Sequence, residues 1–284
     1  MPELPEVEVL AQYLRPLLRG KTIQDVTVRR SKVLRPTPPQ VFRRTLTGAT
    51  FTGLSRRGKY LRFQLEGRNA SRPVTLLGHL GMTGRMFLAD KGERLPTHAA
   101  VVFDLGRQKL IYEDTRYFGR LTLDGSVVDK LGPEPLSRHF QPVIFARALK
   151  RSRQAIKVKL LDQTVVAGIG NIYASEALFR ARLSPKREAN RLTPDQIKRL
   201  WRAIREVLAE AIRCGSTVPL NFGGKGGPDG FFYFGRSPET PDFFEERLQV
   251  YDRAGRPCPN CRRPIRRITQ AARSTFYCPH CQRT

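Results

Sequence analysis

Tyr60-Leu61-Arg62-Phe63-Gln64-Leu65 reads as a β-strand, and the chain on either side repeats the pattern. Thr22-Ile23-Gln24-Asp25-Val26-Thr27-Val28 precedes it. Val74-Thr75-Leu76-Leu77, Ala100-Val101-Val102-Phe103, Lys109-Leu110-Ile111-Tyr112 and Arg120-Leu121-Thr122-Leu123 follow, with Gly58 and Gly106-Arg107 as turns. Several short strands at this spacing predict a β-sandwich or barrel. A helix should lie beside it: Pro5 suits a first helical turn, and Val7, Leu10, Leu14, Leu17 and Leu18 recur at helical spacing, with Pro16 expected to kink or end it. Beyond the linker-like Gly132-Pro133-Glu134-Pro135-Leu136 the period becomes helical. It is clearest from Thr193 to Cys214, where Thr193, Pro194 and Gln196 form a capping-box start and Gly215 a stop. The expected class is α+β and multidomain.

The chain of 284 residues carries 51 Lys plus Arg against 25 acids, a formal net charge of +26. The excess is spread along a chain that is 40% apolar, so the charge belongs to a folded body and a polyanionic partner is the first expectation. No apolar run reaches transmembrane length, and the acidic, proline-containing start is unlike a signal peptide, so a cytosolic protein with no membrane association is expected. Gly223-Gly224-Lys225-Gly226-Gly227 lacks the Gly-Lys-Ser/Thr ending of a phosphate-binding loop and reads as a plain loop.

Two places carry chemistry. Cys258-Pro-Asn-Cys261 and Cys278-Pro-His-Cys281 can supply four thiolates to one tetrahedral Zn²⁺, closing a hairpin too small to hold a core of its own. With all four ligands from protein, that zinc has no open position and is structural. Between the knuckles lie Arg262, Arg263, Arg266, Arg267 and Arg273 with no acid, a surface suited to phosphates. At the other end, removal of Met1 would leave Pro2 with a free secondary amine. An α-amino group titrates near about 8, far below an unperturbed lysine, so it is a usable nucleophile. Glu3 and Glu6 stand at the adjoining helix start, where complementing the helix dipole is their simpler reading.

With a Pro-Glu-Leu-Pro-Glu start and this zinc hairpin, the chain resembles the bacterial formamidopyrimidine-DNA glycosylases almost end to end. The resemblance includes Gly58-Lys59-Tyr60, His79-Leu80-Gly81-Met82-Thr83-Gly84, Leu131-Gly132-Pro133-Glu134-Pro135-Leu136, Gly168-Ile169-Gly170-Asn171-Ile172-Tyr173-Ala174-Ser175-Glu176 and Arg273-Ser274-Thr275-Phe276-Tyr277-Cys278. It implies excision of oxidised purines from duplex DNA, preferably opposite cytosine, followed by strand cleavage at the abasic site, by a monomer. It implies four segments: a catalytic β-sandwich over 1–131, a linker over 132–146, a helix-two-turns-helix domain with a lesion-closing loop over 147–246, and a zinc hairpin over 247–284.

The resemblance also implies roles. Pro2 would attack C1′ of the damaged nucleotide, Glu3 would move protons near the deoxyribose, and Glu6 would support them. Lys59 and Arg273 would grip a phosphate at the lesion. Met82, Arg116 and Phe118 would fill the void left by the everted nucleotide. His79, Lys157, Asn171 and Tyr251 would contact DNA; Asn171 as a plain helix cap is the alternative. Two departures stand out. Tyr117 replaces a usual second arginine, and the stretch between Gly215 and Leu248, with Phe231-Phe232-Tyr233-Phe234, is longer than usual. An oxidised-pyrimidine glycosylase of the endonuclease VIII type and a non-catalytic binder of damaged DNA are the competing readings.

Overall fold

A computed structural model of the chain describes residues 2–67, 73–215 and 248–283. The expected lesion-closing loop and the aromatic run Phe231–Phe234 lie outside the described residues. The chain divides into two compact units, one reaching to Asp129 and the other holding Lys130–Cys214 and the described C-terminal residues.

In the first unit, helix α1 (Leu4–Leu18) is followed by β1 (Asp25–Val28), α2 (Pro39–Leu46), β2 (Thr50–Arg57), β3 (Tyr60–Glu66), β4 (Val74–His79), β5 (Gly84–Asp90), β6 (Ala99–Asp104), β7 (Gln108–Asp114) and β8 (Arg120–Thr122). Two antiparallel four-stranded sheets result, in the orders β1-β6-β7-β5 and β2-β3-β4-β8. On β3, Leu61, Phe63 and Leu65 are buried while Arg62 and Gln64 are exposed, as a strand with one face on a core requires. The α1 stripe of Leu4, Val7, Leu10, Leu14 and Leu18 is wholly buried, each leucine worth about 1.5–3 kcal/mol of burial. Leu17, expected in that stripe, is exposed.

Pro16 does not end α1, which continues to Leu18. It falls in the last turn on the exposed side, where the Gln12 carbonyl it leaves without an amide partner can be met by water. Helix α1 is locked to the β2–β3 hairpin by Arg56, whose Nε meets Glu8 Oε2 at 2.8 Å and whose Nη1 donates to the Gly58 carbonyl at 3.0 Å. One guanidinium thus fixes the turn before Lys59 to the helix that Glu3 caps.

In the second unit, α3 (Pro142–Lys150), α4 (Ile156–Leu160), α5 (Asn171–Arg180) and α6 (Pro194–Arg213) precede the hairpin of β9 (Arg266–Gln270) and β10 (Arg273–Tyr277). The α6 capping box forms as its sequence predicts: Gln196 N–H donates to Thr193 Oγ1 at 3.3 Å and Thr193 N–H to Gln196 Oε1 at 3.0 Å. The hairpin has no core of its own. Val250, Cys258, Ile265, Phe276 and Cys278 pack with Phe179 of α5 into one cluster. Among the described residues, no helix is long and apolar enough to cross a membrane.

Candidate DNA-binding and catalytic site

At the start of α1, Pro2 is buried and the Glu3 and Glu6 side chains are 2% and 0% exposed. Glu6 Oε2 accepts the Glu3 N–H at 2.8 Å, so this carboxylate sets the backbone that carries Pro2 and Glu3. Buried carboxylates at a helix N-terminus are stabilised by its free N–H groups and dipole. Lys59 is also buried, at the tight turn between β2 and β3, where Gly58 has φ +57°.

His79 ends β4. Gly81 N–H donates to its Nδ1 at 3.1 Å, so a neutral ring carries its proton on Nε2. Burial, then the charges of Lys59 and Arg120, push its pKa down to about 4, which keeps the ring neutral and an N–H donor at physiological pH.

Two loops of this unit present Met82 and Phe118, which are 46% and 52% exposed. A solvated methionine and a solvated phenylalanine thus stand on adjoining loops. The loops are held against each other by close backbone contact and by Asp114. Gly81 has φ +62°, and a Cβ there would come within 2.6 Å of Gly119 N and 2.7 Å of Phe118 C, so no larger residue fits. The wholly buried Asp114 takes Thr83 Oγ1 at 2.6 Å and Arg116 N–H at 3.2 Å on one oxygen, and Gly119 N–H at 2.7 Å on the other. The Arg116 guanidinium stacks over the Phe118 ring at 4.8 Å. Tyr117, between them, adopts φ +53° and turns its hydroxyl to Arg30 Nε at 3.2 Å and His98 Nδ1 at 3.4 Å.

In the second unit the N-terminus of α5 meets the hairpin. Asn171 is the first helical residue and Gly170 the cap, so Asn171 is not a side-chain N-cap. Its Oδ1 accepts from Lys157 Nζ at 2.7 Å and its Nδ2 donates to the Ser274 carbonyl at 2.8 Å, beside Arg273. Lys157 is 1% exposed and also donates to Ser175 Oγ at 3.1 Å. Arg273 is exposed just after the turn Ala271-Ala272, whose φ values of +47° and +57° mark a type I′ hairpin. Tyr251 packs edge-on against Phe276 at 5.2 Å.

Two acids outside the expected residues brace their surroundings, each within its own unit: Asp114 in the first and Glu176 in the second. Glu176 is fully buried on α5, and its carboxylate accepts the N–H groups of Gln249, Val250 and Tyr251 at 2.9, 2.9 and 2.8 Å. Burial raises its pKa, opposed by those three bonds. The available signal was an acid at a helix position whose neighbours are all apolar or small, Ala174-Ser175-Glu176-Ala177.

The four cysteines gather as expected, their sulfurs all within 4.8 Å of one another. Cys258–Cys281 and Cys261–Cys278 are 3.9 and 3.5 Å apart, too long for a disulfide. A tetrahedral zinc with Zn–S near 2.3 Å separates its sulfurs by about 3.8 Å, so the cluster fits one structural Zn²⁺. Cys261 is drawn down to about 7, chiefly by the backbone N–H of Arg263, while burial pushes Cys281 up. A bound cation removes that conflict among crowded thiols.

A strand-built unit with exposed Met82 and Phe118 and a helical unit with an arginine-rich Cys₄ hairpin are features of a DNA base-excision glycosylase. The comparisons make the assignment particular. The formamidopyrimidine-DNA glycosylase N-terminal domain matches residues 1–121, the H2TH domain of that family 131–220, and the zinc finger found in FPG and IleRS 255–284. A formamidopyrimidine-DNA glycosylase of Thermus thermophilus is 45% identical over 290 residues, 99% of this chain and 98% of that one. A Lactococcus lactis FPG variant in complex with DNA containing Fapy-dG is 33% identical with a TM-score of 0.87, covering 100% of both chains. The Lactococcus lactis Fpg with DNA containing an abasic site is 32% identical with a TM-score of 0.86, covering 99% of this chain and 100% of that one. The chain belongs to the formamidopyrimidine-DNA glycosylase family.

Proposed function

We propose that this enzyme excises oxidised purines from duplex DNA through Pro2 and then cleaves the strand at the same nucleotide. Once Met1 is removed, the Pro2 lone pair forms a bond to C1′ as the glycosidic bond breaks, and its electron pair leaves with the base. Loss of the proline N–H proton and opening of the C1′–O4′ bond, with a proton delivered to O4′, turn this adduct into an iminium that acidifies the C2′ protons, so the 3′ phosphate and then the 5′ phosphate leave by elimination. Glu3 gives and takes the protons near the sugar. Glu6 fixes the Glu3 backbone, and Lys59, with neutral His79 as an N–H donor, takes the phosphate at the lesion.

The observation that carries this reading is the paired exposure of Met82 and Phe118 beside Arg116. Chemistry at C1′ needs the nucleotide out of the stack, and two apolar side chains can occupy the gap. Arg116, stacked on Phe118, is the donor for the orphaned base, which makes cytosine the preferred partner. On the second unit, Arg273 grips a phosphate, and Asn171 and Tyr251 line the same DNA. Lys157 acts through Asn171. The Cys₄ zinc holds the hairpin that presents Arg273. The enzyme acts as a monomer in the cytoplasm.

Borohydride trapping on a duplex with 8-oxoguanine opposite cytosine tests this. A covalent adduct mapped to Pro2 is expected, with thymine glycol a poorer competitor. Failure to trap any adduct at the N-terminal peptide by a chain verified to lack Met1 would sink the proposal.

A further inference from the structure

In the second sheet, Tyr60, His79 and Arg120 are direct cross-strand partners on β3, β4 and β8, so all three side chains share one face. Tyr60 lies against the His79 ring, centroids 4.8 Å apart. Beyond them is a cavity of about 390 Å³ lined by Arg35, Pro36, Tyr60, Arg120, Thr122 and Val127. Arg120 Nη1 donates to the Arg35 carbonyl at 3.4 Å, which anchors one of five guanidinium N–H donors and ties the two residues together. Among the described residues, neither arginine pairs with a carboxylate. Two arginines line one concavity, and no carboxylate is among its lining residues. The field is felt next door, where Arg120 helps hold His79 neutral and pulls the Tyr60 hydroxyl downward against a larger upward push from burial. Tyr60 therefore stays a protonated O–H donor. Fork-shaped cationic donors beside a hydroxyl suit the oxygens of a phosphate.

We propose that this cavity is a subsite for a backbone phosphodiester of bound DNA, adjoining the one assigned to Lys59 and His79. The placement rests on the glycosylase reading, since it is the strand held at Lys59 and His79 that continues across this face. A free phosphate ion has the same chemistry, but both arginines are exposed to solvent, where a polymer's backbone can reach them.

The test measures binding of the full-length protein to a duplex with a reduced abasic site, over a range of salt. Losing one charge-assisted phosphate contact weakens binding about tenfold and lowers the slope of log K against log salt by about 1. Arg120→Gln and Arg35→Gln should each do this, whereas Arg107→Gln, on an exposed turn of the other sheet, should leave the slope unchanged. Methylphosphonates placed one at a time along the duplex supply the sharper arm. In the unsubstituted protein one position beyond the lesion phosphate should cost about tenfold, and Arg120→Gln should abolish that cost. An unchanged slope, or a penalty that persists at every position in Arg120→Gln, overturns the subsite. So does a result in which Arg120→Gln changes only inhibition by inorganic phosphate. Borohydride trapping by the unsubstituted protein, run alongside, separates a failed subsite from a failed glycosylase reading.

Discussion

Asp114 and Thr83 are joined by a 2.6 Å hydrogen bond that ties the loop bearing Met82 to the loop bearing Arg116 and Phe118. The carboxylate is acceptor-only and all its protein partners on those loops are donors. The two loops that carry Met82 and Phe118 are therefore joined through one buried carboxylate.

Asp114→Asn puts an amide NH₂ where N–H and O–H donors already point. It should cost about 1–3 kcal/mol of stability and slow excision from paired DNA more than it slows trapping on a preformed abasic site. Urea unfolding and single-turnover kinetics check this; equal slowing on both substrates would mean that Asp114 does not act through the wedge.

Met82→Ala and Phe118→Ala remove solvated side chains, so folding stability should change by less than about 0.5 kcal/mol. Excision should fall by roughly 5- to 150-fold each, from a stacking loss of about 1–3 kcal/mol. Activity within twofold of the parent protein would remove the wedge assignment.

His79 gives a pH signature. Its folded pKa, about 4, lies below the ordinary 6.5, so between these values the unfolded chain binds a proton that the folded one does not. Stability from this residue is complete above pH 6.5 and is lost as pH falls toward 4. Denaturation midpoints at pH 7, 5.5 and 4.5 should decline less steeply in His79→Gln; parallel declines would contradict the buried neutral ring.

Zinc removal should release the hairpin from Phe179 and disorder Arg273 while leaving the first unit folded. Chelation, with metal loss verified by elemental analysis, should weaken DNA binding at least tenfold. Unimpaired binding by the metal-free chain would show that the hairpin needs no metal.

Much of this was legible in the sequence. Regular alternation exposed β3, and Cys-x-x-Cys spacing exposed the metal site. Strand β2 escaped because Gly53 and a bulge between Phe51 and Gly53 break its alternation. Helix α2 was hidden behind Pro38-Pro39, which reads as loop although Pro39 opens the helix. Strand β5 begins inside the His79–Gly84 motif, whose two glycines signal turn more strongly than Met86-Phe87-Leu88 signal strand. Pro2, Met82 and Arg273 stand in the motifs that carry the family resemblance, and that resemblance alone drew attention to Phe118. Asp114 and Glu176 drew no role from the sequence, although Glu176 closes one of those motifs, because a carboxylate that serves backbone N–H groups leaves no mark on the identity of its partners.

That last property reaches beyond the binding site. Glu176 grasps Gln249, Val250 and Tyr251 by their amides, so the connection into the zinc hairpin is anchored without reference to the Gln249 side chain. Position 249 is free to drift in sequence while position 176 is not. A library randomising both should recover nearly any non-proline residue at 249 and a carboxylate alone at 176.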